Sequence, residues 1–187
     1  MGRWEPDAVG RLQQAALELY GERGFESTAV ADIAERAGLT ERTFFRHFAD
    51  KREVLFFGSD SLRDLFSDGV ANAPASLTPI DAVGAGLAAV AGFFEDRREH
   101  AQRRQGVIAA NPSLQERELI KLASLAGAVA AALRSRGVGD LAALLAAEAG
   151  IAVFKIAFDT WIGGSSDRTF AAVMLETLGE LRSVTSG

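Results

Sequence analysis

Residues 28–55, TAVADIAERAGLTERTFFRHFADKREVL, decide the fold, because two short helical patterns meet there at a tight glycine turn. Val30, Ile33, Ala34 and Ala37 recur at the spacing of one apolar face of a short amphipathic helix. Gly38 then stands where the residue past a helix end is commonly left-handed, and Leu39 follows as an apolar plug. Thr40 predicts an N-cap for a second helix, Glu41 to Phe48, whose Phe44 and Phe48 fall four apart and face inward together. Glu41, Arg42, Thr43, Phe45, Arg46 and His47 occupy its other side. A helix presenting such side chains, held across a first helix by a turn of about three or four residues, is the helix-turn-helix arrangement, in which the second helix enters the major groove.

Thr28, Ile33-Ala34, Ala37-Gly38-Leu39-Thr40, Thr43-Phe44-Phe45, His47-Phe48 and Lys51 together resemble the N-terminal domain of tetracycline-repressor-type (TetR family) transcriptional regulators. The resemblance covers about the first third of the chain. It implies that Thr28 and Lys51 touch phosphates at helix starts, where backbone N–H groups also face DNA. It also implies that Phe45 and His47 lie on the DNA backbone, and Thr40 is counted with them among the DNA-binding residues. Glu41, Arg42, Thr43 and Arg46 match positions that reach base edges, and the Arg42 guanidinium suits bidentate pairing with guanine. Position 45 departs from the family, which most often has Tyr there. Phe45 offers apolar contact but no hydroxyl for a phosphate.

Working outward, nearly everything reads as helix. Pro6 and Asp7 open a first helix with Val9, Leu12, Ala16, Leu19 and Tyr20 on its apolar face, and Gly24 ends it. Ser27 and Thr28 are the expected caps of the second helix. Asp50 and Glu53 form a D-x-x-E capping box for a connecting helix through Leu62, Leu65 and Phe66. The segment ANAPASLTP, residues 71–79, breaks the composition before a second domain. Further helices are predicted over 80–98, 103–110, 113–136, 139–162 and 166–184, with breaks at His100, Asn111-Pro112, Gly137-Val138-Gly139 and Gly163-Gly164. No strand-like alternation with hairpin turns occurs. The fold class is therefore all-α: a helix-turn-helix domain over 1–50, a connecting helix over 51–70, and a helical ligand-binding and dimerisation domain over 71–187. The runs Val83-Gly84-Ala85-Gly86 and Ala126-Gly127-Ala128 fit either close helix packing or codon bias.

Composition excludes several classes. The chain has 187 residues, of which 48% are apolar, enough to bury a core, and no cysteine, which removes disulfides, thiol nucleophiles and zinc-finger clusters. MGRWEPDAVG lacks the basic start and apolar run of a signal peptide, and a cytoplasmic home is expected. The apolar stretch 141–162 is interrupted by Glu148, Lys155 and Asp159, so a buried or interfacial helix is favoured over a membrane span. Two histidines, His47 and His100, without an H-E-x-x-H, G-x-S-x-G or phosphate-loop pattern, give catalysis no foothold. Neither a cofactor nor a metal is expected; His100 lies in a charge run. The net charge of −5 runs against a general polyanion binder, since Glu18, Glu22, Asp32 and Glu35 balance the bases of the head. Local charge is what DNA contact requires, and Arg42, Arg46, Lys51 and Arg52 supply it.

The last two helices carry more apolar surface than one small domain hides, through Leu141, Leu144, Leu145, Ile151, Phe154, Ile156, Phe158 and Trp161, and then Phe170, Val173, Met174, Leu178 and Leu181. A four-helix interface in a homodimer accommodates both faces, and the family resemblance implies the same; the alternative is that they form intramolecular core. The resemblance further implies a small-molecule effector in the second domain, with Phe93, Phe94, Ile108, Asn111, Leu122, Leu125, Phe154, Phe158 and Trp161 as candidate pocket residues and a mostly apolar ligand. The resulting expectation is a dimeric, ligand-responsive repressor on a palindromic double-stranded DNA operator. The alternative is a ligand-sequestering or protein-docking dimer whose acidic head does not bind DNA.

Overall fold

The computed structural model describes residues 7–94, 96–164 and 168–185, which form ten α-helices and one 3-10 turn and include no strand. They are α1 (Ala8–Arg23), α2 (Val30–Arg36), α3 (Glu41–His47), α4 (Glu53–Phe56), α5 (Ser59–Ala71), α6 (Pro79–Ala91) with the 3-10 turn Gly92–Phe94, α7 (Arg98–Ala109), α8 (Pro112–Ser135), α9 (Asp140–Gly163) and α10 (Phe170–Thr185). The chain divides into two compact units, one made of residues up to Phe57 with Arg103–Glu118, the other of Gly58–Gln102 with Leu119–Gly187.

In the first unit, Asp7 caps α1 by accepting from the Gly10 N–H at 2.8 Å, and Gly24, with φ 84°, ends the helix. The cap of α2 is Ala29 rather than Ser27 or Thr28, because the Asp32 carboxylate accepts from the Ala29 N–H at 2.9 Å and satisfies that end without them. α2 closes in a Schellman turn: Leu39 N–H donates to the Ala34 carbonyl at 2.8 Å and Gly38 N–H to that of Glu35 at 2.9 Å. Gly38 has φ 65°, and a Cβ there would also lie 2.8 Å from the Arg11 guanidinium. Leu12, Leu19, Tyr20, Phe25, Ile33, Phe44, Phe48, Val54 and Phe56 make the core, completed by Ile108 and Leu114.

That completion redraws the expected domain limits. Residues 103–118, expected in the second domain, close the core of the first, where Ile108 and Leu114 are fully buried. The connecting helix expected over 51–70 is cut at Phe57–Gly58: Phe57 is extended and Gly58 takes φ 89°, so α4 is a single turn and α5 starts afresh. The break expected at His100 lies earlier, since α7 runs through that residue from Arg98. Ser166, expected to start the last helix, lies outside the described residues, and α10 begins at Phe170.

The second unit is built from longer helices. Thr78 caps α6, its hydroxyl accepting from the Asp81 N–H at 3.3 Å, with Pro79 at the first helical position. α5 and α6 cross closely: a methyl group at Gly86 would lie 2.5 Å from the Phe66 ring and 2.7 Å from Val70. Close packing thus explains Gly86, whereas Gly127 has open space around it. α9 is long and apolar enough to cross a membrane by length and composition. Within this unit, however, it places Ile151, Val153, Phe154, Ala157, Phe158 and Trp161 in the core, while Glu148, Lys155 and Asp159 are exposed.

Candidate nucleic-acid interface

α3 is held at one face and bare at the other. Thr40 caps it, its hydroxyl accepting from the Thr43 N–H at 3.2 Å and lying 3.0 Å from the Thr43 hydroxyl. Phe44 is wholly buried, tilted against Phe48 with centroids 5.3 Å apart, and locks the helix to the core. The opposite face leaves Glu41, Arg42, Phe45 and Arg46 exposed, with His47 half-buried and its Nε2 3.3 Å from the Arg46 guanidinium. Glu41 in the first turn and Arg46 and His47 in the last have the signs that the helix dipole favours.

The acidic balance of this unit is largely spent internally. Arg36 pairs with Glu22 at 2.9 Å and Glu18 at 3.4 Å, and Arg23 with Asp32 at 3.8 Å. Asp50 accepts from the Arg52 guanidinium at 2.6 Å and from the N–H groups of Arg52 and Glu53 at 2.8 and 3.2 Å. The Arg52 side chain foremost, with those N–H groups, holds the Asp50 carboxyl below the usual carboxylate range. Among the described residues nothing engages Arg42 in this way, so its guanidinium stands ready for an external acceptor.

Two expected phosphate contacts are placed differently. Thr28 is 1% exposed, and its hydroxyl donates inward to the Gly24 carbonyl at 2.9 Å. The Lys51 ammonium donates to the carbonyls of Phe25, Glu26 and Thr28 at 2.8, 3.2 and 3.0 Å and sits 4.4 Å from the Phe25 ring centre. All three of its donors are therefore used in stapling the 25–28 loop. The Tyr20 hydroxyl donates in turn to the Lys51 carbonyl at 2.7 Å; burial pushes that phenol up, and the nearby Asp50 adds to the shift.

The candidate ligand residues are divided between the units. Ile108 belongs to the core of the first unit, and the Asn111 amide, also there, donates to the Val107 carbonyl at 2.6 Å, shaping the turn between α7 and α8. Both lie in a different unit from the remaining candidates, within the 103–118 segment that closes the first core. The remaining residues stay in the second unit, where Phe94 packs edge-on or tilted against Phe154, Phe158, Trp161 and Phe170 at centroid distances of 5.0 to 6.2 Å. Phe93 flanks Phe94 at 5.2 Å; Leu125 is buried and Leu122 packs at the margin. Sequence reasoning missed Phe170 as a member of this cluster, and missed Arg104, Glu118, Arg117 and Glu53 as an ion-pair set around α4. The EVL pattern at 53–55 carries no sign that arginines about 50 and 64 residues on would meet it.

Residues 12–56 match the family model described as bacterial regulatory proteins, tetR family, and residues 77–186, more than half the chain, match that of the MftR C-terminal domain. The chain belongs to the TetR family. It is 37% identical over 86 residues to the HTH-type transcriptional regulator TcmR of Streptomyces glaucescens, covering 46% of this chain and 38% of that protein. To MftR of Mycobacterium tuberculosis, named for regulation of mycofactocin biosynthesis, it is 29% identical over 115 residues, covering 62% of this chain and 58% of that protein. The matches thus span from about two fifths to three fifths of these TetR-family relatives. The fold is shared with Thermus thermophilus FadR, a TetR-family repressor solved with lauroyl-CoA, at a TM-score of 0.55 and 21% identity over 92% of each chain.

Proposed function

We propose that this TetR-family protein is a dimeric, ligand-responsive transcriptional repressor that reads a palindromic operator with α3. The observation that carries this reading is the division of α3 into a buried anchor, Phe44, and an exposed face of Glu41, Arg42, Phe45 and Arg46. Arg42 pairs with guanine, Glu41 and Thr43 reach neighbouring base edges, and Phe45 and His47 lie against the backbone with Thr40 beside them. Lys51 contributes by holding the 25–28 loop; the phosphate-facing group at that end is backbone N–H rather than the Thr28 hydroxyl. A palindrome requires two such helices about 34–36 Å apart, or a multiple of that distance.

The dimer forms through α9 and α10. Ile151, Phe154, Phe158, Trp161, Phe170, Val173, Met174 and Leu178 are spent inside the second unit, which leaves Leu141, Leu144, Leu145 and Ile156 on α9 and Leu175 and Val184 on α10 as exposed apolar surface. Leu145→Glu is expected to give monomers by sedimentation equilibrium with unchanged helicity; a dimer of unchanged strength would remove this interface. The effector is mostly apolar or aromatic and binds by displacing rings of the Phe94 cluster, a reading supported by the packing of Phe94 against Phe158 and Phe170. FadR, a protein of this fold, was solved with lauroyl-CoA, whose lauroyl chain is apolar, and this supports the reading. The protein acts in the cytoplasm, where its operator is.

The deciding experiment is selection of bound duplexes from random DNA by the full chain near physiological salt, with Arg42→Ala in parallel. One palindromic motif, weakened in the variant, is the expected result. Absence of any motif would overturn the regulator reading in favour of ligand sequestration.

A further inference from the structure

α4 is only four residues long, Glu53–Phe56, and a helix of that length does not persist on its own propensity. Its exposed donors and acceptors need partners from elsewhere. Both of its ends are gripped by one hairpin, the C-terminal turns of α7 and the first turns of α8, within residues 103–118. At the C-terminal side the Arg104 Nε donates to the Leu55 carbonyl at 2.7 Å, with the guanidinium 5.1 Å from the Phe56 ring centre. At the N-terminal side the Arg117 guanidinium meets the Glu53 carboxylate at 2.6 Å. Glu118 completes the arrangement, pairing with Arg104 at 3.3 Å and accepting from the Gln105 amide at 3.3 Å. Arg104 is mostly buried; burial lowers its pKa and Glu118 counters that.

The hairpin itself is firmly seated. Ile108 and Leu114 are fully buried in the same core as Phe44, and the Asn111 carbonyl accepts from the N–H groups of Leu114 and Gln115 at 3.0 and 3.1 Å. α4 in turn follows directly on Asp50, Lys51 and Arg52. Its placement therefore sets Lys51, whose ammonium holds the 25–28 loop at the entrance to α2.

The geometry points to Arg104 and Arg117 as positioning residues for operator binding: the 103–118 hairpin clamps α4 at both ends and thereby fixes Lys51 and the 25–28 loop in their DNA-competent arrangement. The DNA half of this inference rests on the regulator reading above, whereas the ordering of α4 does not. The clamp acts through α4 and touches no DNA.

The test uses the full chain as wild type and as Arg104→Lys, Glu118→Gln and Arg117→Gln, with Arg63→Gln as a control, since Arg63 makes comparable surface pairs with Asp60 and Asp64 in the second unit. Amide hydrogen exchange is followed in the free proteins. Faster exchange confined to 50–57 and 25–28 in the clamp variants, and absent in the control, is the expected result. Unchanged exchange there, or a uniform rise that includes α1 in every clamp variant, overturns the clamp. On the operator selected by the wild-type protein, the clamp variants should bind about tenfold more weakly, with the salt slope unchanged because no cation–phosphate contact is removed. Weaker stability with operator affinity unchanged would reduce the clamp to a structural role. A wild-type protein that selects no DNA would sink the regulator reading, and the exchange data would still decide the ordering of α4.

Discussion

The two units of this protein solve the same packing problem with different materials. The first is assembled from α1, the short helices α2 to α4 of four to seven residues, and the 103–118 hairpin, and long-range polar ties hold them: Lys51 to three carbonyls, Arg104 to Leu55, Arg117 to Glu53. The second uses helices of up to 24 residues, and its centre is aromatic and aliphatic, with Gly86 letting α5 and α6 approach. Its arginine ties lie toward the edges, as where Arg136 reaches the carbonyls of Ala71, Ala73 and Pro74. Short helices cannot support themselves and have little apolar face to share, so directed hydrogen bonds fix their orientation. Long helices need only bury a stripe. The first unit gains a defined orientation for α3; the second keeps a ring cluster whose contacts are non-directional.

Truncating the anchor of the reading helix should break the first unit most severely. Phe44→Ala removes a wholly buried ring and is expected to destabilise the protein by about 3–5 kcal/mol, read by denaturant unfolding, with DNA binding lost as α3 detaches. The matching insult to the second unit is Gly86→Ala, whose new methyl meets Phe66 and Val70; overpacking of this kind costs about 1–3 kcal/mol, visible as a lower melting temperature. A result near zero there would show that α5 and α6 part easily and that the contrast between the units is overstated.

Arg42→Ala tests function without packing. It should weaken specific operator binding by about 1–3 kcal/mol in a mobility-shift titration while leaving unfolding within about 0.5 kcal/mol of wild type. The smallest effect concerns pH. The folded-state pKa of Asp50 is depressed, so its contribution to stability is fully present above the ordinary carboxylate pKa and is lost as pH falls through the folded value. Thermal melts on the acid side of about pH 4 should therefore fall less steeply for Asp50→Asn than for wild type. Equal slopes would mean that the Arg52 and N–H contacts do not persist in solution.

Most of the reading head was legible in the residues. The Gly38 turn, the Thr40 cap, Phe44 as anchor and the exposed set Glu41, Arg42, Phe45 and Arg46 all depend on neighbours within about five positions, the range over which caps and helical faces operate. Thr28 and Lys51 were legible as positions of note, but the inward hydrogen bonds they make were not. Whether a hydroxyl or an ammonium turns outward to a phosphate or inward to a carbonyl depends on the path of the 25–28 loop, which no local pattern encodes.

The sequence by itself determined an all-helical chain with a helix-turn-helix near its start, because periodicity, glycine and capping residues act locally. Tertiary structure alone decided that Ile108 and Leu114 belong to the first core, that arginines from 103–118 grip α4, and that Phe154 and Trp161 face inward while Leu141 and Leu145 face out. α9 is apolar on several sides, so its pattern names no single buried face. Partners separated by 49 or 64 residues leave no trace in any window of sequence short enough to carry a period.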